Sequence, residues 1–219
     1  MPTESVLRTP QNLELRVDSA DAFDVREFVV DDGVNALFSI DLMVRCANPA
    51  VDLETIIGAQ ASFRIGMDEV AFPGMASPTW SGVVSDIEQL AAEDAGLSTY
   101  RIRLVPALWL LTQRTNCRVF QQMTDRDVVL AMFQEWGLAH EDSCEASYKT
   151  KKYRVQYQES DFAFVSRLLE DSGISFVFEQ RESETVVVLR DAPETVNPRA
   201  MPLEHTNEVT AGPHLYATG

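Results

Sequence analysis

Residues 153–178 read YRVQYQESDFAFVSRLLEDSGISFVF and place a strand, a helix and a second strand in immediate succession. Ser160 predicts the N-cap of the helix, because a serine oxygen can accept a hydrogen bond from the backbone of the first turn. Apolar residues then recur at helical spacing up to Leu169. Gly173 is expected to end the helix in a left-handed conformation, with Ile174 in contact with Leu169, as in a Schellman ending.

Two further elements flank this stretch. Thr124, with Asp127 three residues on, imitates a capping box, and the apolar residues that follow lie on one helical face up to Gly137. On the other side, residues 174–179 and 185–189 predict two strands around a polar turn. Together these signals predict an α/β region with two amphipathic helices.

The first half of the chain is predicted to be antiparallel β-structure. Its apolar residues fall in short alternating or β-branched stretches separated by turn-forming residues. Asp31, Asp32 and Gly33 predict a hairpin turn, since aspartate and glycine tolerate the positive φ that such turns need. About six short strands favour a small closed barrel over a sandwich, because closure removes exposed strand edges. The main strands are expected at 36–46, 61–67, 80–90 and 98–105, with one helical turn at 53–57 stopped by Gly58.

Pro106 marks a change of architecture, because proline has no N–H to give to a strand ladder. Residues 107–111 then have the composition of a short helix. The predicted fold class is α+β, mainly β: a small antiparallel β-barrel followed by an α/β region with two amphipathic helices. We expect a first barrel at 1–105, an α/β subdomain at 106–191, and an extended, proline-containing connector at 192–219.

The composition excludes several classes of protein. The 219 residues are 45% hydrophobic, which suffices for a core, and their formal charge of −16 repels the phosphate backbone, so nucleic acid is not expected as a partner. Cys46, Cys117 and Cys144 are odd in number and widely spaced, which fits neither a disulfide framework nor a CxxC metal site. No stretch approaches the ~18 apolar residues of a membrane-spanning helix. The start of the chain has no apolar leader, so we expect synthesis in the cytoplasm without a signal peptide.

No motif that carries chemistry is present. The sequence has no GxSxG, HExxH, Walker-type or GxGxxG pattern. His140, His205 and His214 lack the i, i+4 spacing of a helical zinc site. Adjacent carboxylates are explained by turns and solvation, and a glycosidase-type pair stays only a formal alternative because its spacing is set in three dimensions. We therefore expect no catalytic residue, metal ligand, cofactor or enzymatic activity.

Lys149, Lys151, Lys152 and Arg154 form the one basic run in this acidic chain. We interpret it as the exposed face of a strand, because runs of like charge are usually solvated. Docking of an acidic partner surface is the alternative.

Two segments resemble signatures of one known family. Residues 153–178 resemble the VgrG pattern QY.ESD.FF.SRL.E..GI, and residues 104–121, LVPALWLLTQRTNCRVFQ, resemble the family's L.P.LW.L....C.RIFQ run. Each matched residue has a structural explanation, and Arg167 is expected to pair with Glu170 at i, i+3 on the helix surface. The matched residues are Pro106, Trp109, Arg118, Phe120, Gln121, Gln156, Tyr157, Ser160, Asp161, Phe164, Arg167, Leu168, Glu170 and Gly173.

The resemblance is to the N-terminal hub region of VgrG-type spike proteins and covers almost the whole chain. It implies a non-enzymatic structural hub that joins a tail tube to a spike as a homotrimer. The implied partners are copies of the chain itself, an Hcp-like tube protein and baseplate components. A second hub barrel and a spike would follow the connector, and effectors would be carried there. The resemblance also implies delivery outside the cell, or into a target cell, as part of a contractile injection machine.

Two other interpretations of the function stay open. One is a phage or phage-like tail baseplate hub of the same fold, which differs in the machine that it serves. The other is an enzyme or ligand-binding protein that uses the mouth of the barrel as a pocket. A mass measurement in solution separates both hubs from the third possibility, because a hub predicts a trimer.

Overall fold

The computed structural model describes residues 13–66, 77–93, 97–181 and 184–192. A six-stranded antiparallel sheet comes first, followed by a 3₁₀ helix at Ala107–Gln113. The remaining described residues form two helices, a two-stranded ribbon and a three-stranded sheet. The predicted fold class, a mainly β first part and an α/β second part with two amphipathic helices, is confirmed.

The first sheet curls into a half-barrel with the strand order β1-β4-β5-β6-β3-β2. Its edge strands, β1 and β2, approach each other, but no hydrogen-bonded ladder joins them within the described residues. In the described residues the half-barrel is therefore open along one seam, and the predicted closure into a barrel was wrong for them because β1 and β2 come near each other without pairing. Its strands are β1 (Leu13–Val17), β2 (Asp24–Asp31), β3 (Ser39–Cys46), β4 (Gln60–Ile65), β5 (Thr79–Ala91) and β6 (Ser98–Val105).

Alternation along β3 and β6 decides which side chains fill the half-barrel. Leu42 lies opposite Ile102 in the register and both are fully buried, whereas Asp41 lies opposite Arg103 on the outer face. Since successive side chains of a strand point to opposite faces, each strand contributes one apolar row to the core. The concave side is packed with side chains, which does not support a ligand pocket in the barrel.

The loop between β2 and β3 differs from the predicted hairpin turn. The positive φ falls on Asn35, at 58°, and not on Gly33. Asn35 donates its backbone N–H to the carbonyl of Phe176 at 3.0 Å, and its side-chain oxygen accepts the Phe176 N–H at 2.8 Å. The predicted hairpin is present, since β2 and β3 pair antiparallel, but the predicted position of its positive φ was wrong because this loop is shaped by a contact 141 residues away in the sequence. The predicted end of the strand at 61–67 lies outside the described residues.

The helices begin and end where their sequence signals place them. They are α1 (Leu53–Ile56), α2 (Asp125–Glu135) and α3 (Asp161–Asp171). Thr124 and Asp127 form the predicted capping box of α2. Gly173, at φ 67°, ends α3, and the Ile174 N–H donates to the Leu169 carbonyl at 2.9 Å. That bond, with the Gly173 N–H on the Glu170 carbonyl at 3.1 Å, completes the predicted Schellman ending.

The second region surrounds a core of its own, built from the buried faces of α2 and α3 and from the strands around them. The ribbon pairs β7 with β9, and the three-stranded sheet has the order β10-β11-β8. The sequence pattern did not predict β7 or β8. These strands are β7 (Thr115–Met123), β8 (His140–Asp142), β9 (Lys151–Ser160), β10 (Ser175–Arg181) and β11 (Glu184–Arg190). The predicted connector lies almost entirely outside the described residues.

The hairpin of β10 and β11 joins the two regions. Phe178 packs edge-on against Phe38 of the first core, with ring centroids 5.1 Å apart. Ser81 and Thr185 exchange hydrogen bonds: the Ser81 N–H donates to the Thr185 hydroxyl at 2.8 Å, and the Thr185 N–H donates to the Ser81 hydroxyl at 2.6 Å. These contacts hold the half-barrel against the α/β region.

Candidate interaction site on the ribbon

The two faces of the β7–β9 ribbon carry opposite kinds of side chain. The face packed on α2 and α3 holds Arg118 opposite Gln156 and Phe120 opposite Arg154. A strand on a core normally turns its apolar residues inward and its charges outward. The ribbon therefore reverses the usual pattern, and its inward charges need partners.

Asp161, the first residue of α3, is the main partner of those charges. Its carboxylate is fully buried and accepts hydrogen bonds from Arg114 at 2.7 Å and from Trp136 at 3.0 Å. Gln156 donates at 2.7 Å and Arg118 at 3.0 Å to the other oxygen. Four side chains from the 3₁₀ segment, the ribbon and α2 thus converge on one carboxylate.

The environment of Asp161 keeps it ionised. Burial by itself would raise its pKa, but the hydrogen bonds from Gln156, Trp136 and Arg114 and the charge of Arg118 lower the pKa below its ordinary value. The Glu135 carboxylate also accepts hydrogen bonds from Arg114 and Arg118. These bonds, above all the one from Arg114, lower the pKa of Glu135. The cluster balances its positive and negative charges, and it fixes the ribbon against the helices.

A second ion pair holds the other end of the ribbon. Arg154 donates from two nitrogens to the two oxygens of Asp125, at 2.5 and 2.6 Å, and only 3% of Asp125 is exposed. The hydrogen bond to Asp125 is the largest cause of the raised pKa of Arg154. The interpretation of the basic run as an exposed strand face was wrong for Arg154, whereas Lys149 and Lys152 are exposed.

Apart from Lys151 at the start of β9, the outward face of the ribbon holds uncharged side chains. Val119 lies opposite Val155 in the register, and the exposed fractions of the two residues are 59% and 41%. Tyr157 and Tyr153 are 69% and 62% exposed. We call this surface the ribbon face, and its residues are Cys117, Val119, Gln121, Tyr153, Val155 and Tyr157.

Among the residues predicted from the resemblance, the structure brings Arg118, Gln156 and Asp161 together in one cluster and places Gln121 and Tyr157 on the ribbon face. Sequence reasoning missed the roles of Arg114 and Trp136. Two sequence signals could have suggested these roles. One is the helical spacing that places Trp136 at the end of α2, and the other is the strand-like pattern of 115–123, which begins directly after Arg114.

The other predicted residues lie in the second core, at helix ends or on surfaces. Phe164 is buried and stacks on Phe120 with centroids 5.7 Å apart, and Leu168 is buried beside it. The Ser160 hydroxyl caps α3 by accepting the Ala163 N–H at 3.1 Å. Pro106 is the N-cap of the 3₁₀ helix that contains Trp109.

The predicted pair of Arg167 with Glu170 is wrong. Arg167 reaches back to Glu159 at the end of β9, with a nitrogen–oxygen distance of 2.6 Å, while Glu170 is exposed. The bond ties α3 to the ribbon, so it holds together two elements and not two turns of one helix.

The described residues do not form a reactive centre. No group of three or more histidine, cysteine or acidic side chains in them could hold a metal ion. The cavity between the two regions, lined by Gly82, Pro106, Leu108 and Phe178, has about 150 Å³, which is small beside the ~300–1,000 Å³ of ligand sites. Two larger depressions, of about 320 and 520 Å³, lie on the half-barrel and are more open to solvent. Within the same residues, no helix has the length and apolar character needed to cross a lipid bilayer.

The chain is similar to tail-hub and spike proteins. The family model "Phage tail baseplate hub (GPD)" matches residues 31–217. The chain is 34% identical over 157 residues, 71% of its length, to the type VI secretion system spike protein VgrG1c of Pseudomonas aeruginosa. It is 31% identical over 182 residues, 81% of its length, to VgrG1b of the same organism. The matches cover 21% and 24% of these relatives, so the chain spans less than a quarter of their length.

Solved structures share the fold. The Escherichia coli c3393 protein, a type VI secretion component similar to the phage T4 tail proteins gp27 and gp5, superposes with a TM-score of 0.75 at 21% identity. That match covers 84% of this chain and 51% of the other. A 43 kDa tail protein of prophage MuSo2 from Shewanella oneidensis gives 0.57 at 13% identity, over 81% of this chain and 54% of the other. Because the family model covers most of the chain and the relatives are more than 30% identical over more than two thirds of it, the chain belongs to the phage tail baseplate hub (GPD) family, whose hubs are structural and not enzymatic.

Proposed function

We propose that this chain forms the first part of the hub of a type VI secretion machine and joins the tail tube to the spike as a homotrimer. The observation that carries the proposal is the 34% identity to VgrG1c over 71% of the chain, since VgrG1c is a spike protein of that system. The exposed ribbon face supports it, because an uncharged surface on so acidic a chain suits burial in an assembly.

Each part of the chain has its own place in such a hub. The half-barrel, within 1–105, would form the first hub barrel, and 106–191 would form the α/β subdomain that braces it. Two separate cores, one on each side of Pro106, support this division. Residues 192–219 would lead to the second hub barrel, and effectors would be carried on regions beyond it.

The partners of this hub are an Hcp-like tube protein and baseplate components, and the machine would deliver the hub outside the cell or into a target cell. Sedimentation equilibrium tests the assembly: a species of three times the 24.5 kDa chain mass is expected. Electron microscopy of the chain mixed with Hcp-like rings should then show density capping one end of a ring stack. A monomer that caps no ring at any concentration would refute the proposal.

A phage-like tail hub is the second candidate, favoured by the name of the matching family and by the likeness to the prophage tail protein. The same microscopy with a phage tail-tube protein in place of Hcp-like rings separates the two machines. Capping of the phage tube alone would favour this candidate.

A further inference from the structure

The ribbon face is an exposed, largely apolar surface on a highly charged chain. Val119, Val155, Tyr153 and Tyr157 are each at least 41% exposed, and they lie side by side on two paired strands. Charged residues make up 24% of the chain, yet on this side of the ribbon the only one in the described register is Lys151, at the end of the face. The inner face of the same ribbon, by contrast, carries half-buried arginines that are paired with the buried carboxylates of Asp161 and Asp125. This arrangement favours a surface that is covered by a partner.

The rim of the ribbon face is basic at one end. Lys151 and Lys152 begin β9 directly before Tyr153, and Lys149 precedes them. At the other end of β9, Glu159 is only partly exposed and is held by Arg167. A partner for this surface therefore needs apolar side chains next to carboxylates.

The outer face of β2 has that chemistry. Val29 is 66% exposed and stands two residues from both Glu27 and Asp31, which are themselves exposed. Met43, paired with Glu27 in the register, is 37% exposed and adds a thioether. The same outer face also carries arginines, but Arg101 and Arg103 are paired with Glu88 and Asp41, and Arg45 lies opposite Asp24 in the register. The surface around Val29, which we call the β2 face, therefore complements the ribbon face in its apolar side chains and in the sign of its charges.

We propose that the ribbon face of one copy packs on the β2 face of a second copy, so that the contacts run head to tail around a ring. A three-fold ring needs two different patches on each subunit, because an isologous contact closes after two. Copies with a formal charge of −16 repel each other, and placing the lysines of one against the acids of the next offsets that repulsion at the contact. The inference rests on the proposed homotrimer and names the surface that forms it.

The maleimide reactivity of Cys117 measures this contact in the unmutated protein. It is exposed in β7 on the ribbon face, Cys46 is buried, and Cys144 is half-buried. We expect maleimide labelling of Cys117 to slow at least about tenfold as the protein concentration is raised through the monomer–trimer transition. The mass measured at each concentration gives the assembled fraction, and peptide mapping assigns the label.

Cross-linking identifies the facing surface. In Val29→Cys, a short bismaleimide should join the new thiol at position 29 of one copy to Cys117 of the next and yield covalent dimers and trimers. Val34→Cys, at a position that is 65% exposed in the loop after β2, is the matched control and should give none of them. Adding Cys117→Ser to Val29→Cys should abolish the products.

The outcomes separate this inference from the proposed function. A trimer in which Cys117 reacts as fast as in the monomer overturns the ribbon contact and leaves the hub proposal standing. Slow labelling at concentrations where the measured mass is that of a monomer means that another part of the chain covers the face, which also overturns it. Products joined only through Cys117 to Cys117 show an isologous pair and exclude the head-to-tail ring. A chain that never trimerises refutes the proposed trimer, and the inference with it.

Discussion

The half-barrel and the ribbon distribute their charged and apolar side chains in opposite ways. In β3 and β6 the outer face carries Asp41 paired with Arg103, while Leu42 and its neighbours fill the core. In the ribbon Arg118 faces inward to the buried Asp161 and Val155 faces outward. On β3 and β6 the half-barrel follows the usual pattern of an antiparallel sheet, with apolar side chains inward and charged ones outward. The ribbon turns an uncharged face outward, which suits a partner.

The two regions also differ in their energetics. An exposed ion pair such as Asp41 with Arg103 contributes about 0–1 kcal/mol, because water solvates the separated charges almost as well. A buried pair adds little to net stability over an apolar alternative, yet the loss of one partner leaves a charge without a counter-ion. The inward charges of the ribbon should therefore fix its position, and removing one of them should strongly destabilise the chain.

The largest effect is expected from Asp161→Asn. Arg118 and Arg114 would lose a charged acceptor in a buried cluster, so the free energy of unfolding should fall by about 3–5 kcal/mol in urea titrations. Asp41→Asn is the matched control on the half-barrel and should cost at most about 1 kcal/mol. Equal losses in the two variants would contradict the contrast between the regions.

For apolar side chains, we expect truncation to cost more stability in the half-barrel than on the ribbon face. Leu104→Ala removes a fully buried side chain of the half-barrel and should cost about 2–5 kcal/mol. Val155→Ala, on the ribbon face, should change the stability of the monomer by about 0.5 kcal/mol or less. Thermal or urea unfolding at a concentration where the chain is monomeric measures both, and a large loss for Val155→Ala would show that the ribbon face is part of the fold's own core.

The contribution of Asp161 to the free energy of unfolding should depend on pH. Because its pKa is lower in the folded chain than the ordinary 3.8, its contribution is present above that pH and is lost as the pH falls through the folded-state value. The stability difference between wild type and Asp161→Asn should thus be constant from neutral pH to about 5 and shrink below about 3.8. Urea midpoints of the two proteins at each pH test this, and a difference that grows in acid would show that the pKa is raised.

The smallest effect is expected for the ion pair between Arg167 of α3 and Glu159 of β9. Glu159→Gln should destabilise the chain by about 0.5–1 kcal/mol, since Arg167 loses its half-buried partner. Glu170→Gln should change the free energy of unfolding by less than about 0.5 kcal/mol. Urea titrations of both variants give the order, and the reversed order would favour the pairing within the helix.

Local signals in the sequence predicted the helices well. The Thr124 capping box and the Ser160 cap specify helix starts from a few adjacent residues, and Gly173 specifies an end through its own backbone freedom. Local predictions failed where a distant segment intervenes. Asn35 adopts its positive φ against Phe176, and Arg167 pairs with Glu159 on a neighbouring strand and not with Glu170 on its own helix.

The candidate site was beyond sequence reasoning for the same reason. Arg118, Gln156 and Asp161 were predicted to be structural residues of the family pattern, but nothing in their spacing indicates that they share a buried cluster with Arg114. The exposed face could not be predicted either, because β7 was not recognised and the side chains opposite Tyr153 and Tyr157 could not be assigned.

By itself the sequence determined the class of the fold, the ends of α2 and α3, the change of architecture at Pro106 and the absence of known catalytic motifs. Those features depend on residues close together along the chain, whose preferences act before the chain is compact. Only the tertiary structure decided that, in the described residues, no ladder closes the half-barrel between β1 and β2 and that the ribbon turns its charges inward. Both features depend on contacts between residues that are distant in the sequence. An arginine on the inner face of the ribbon is tolerated only where a carboxylate such as Asp161 lies beside it.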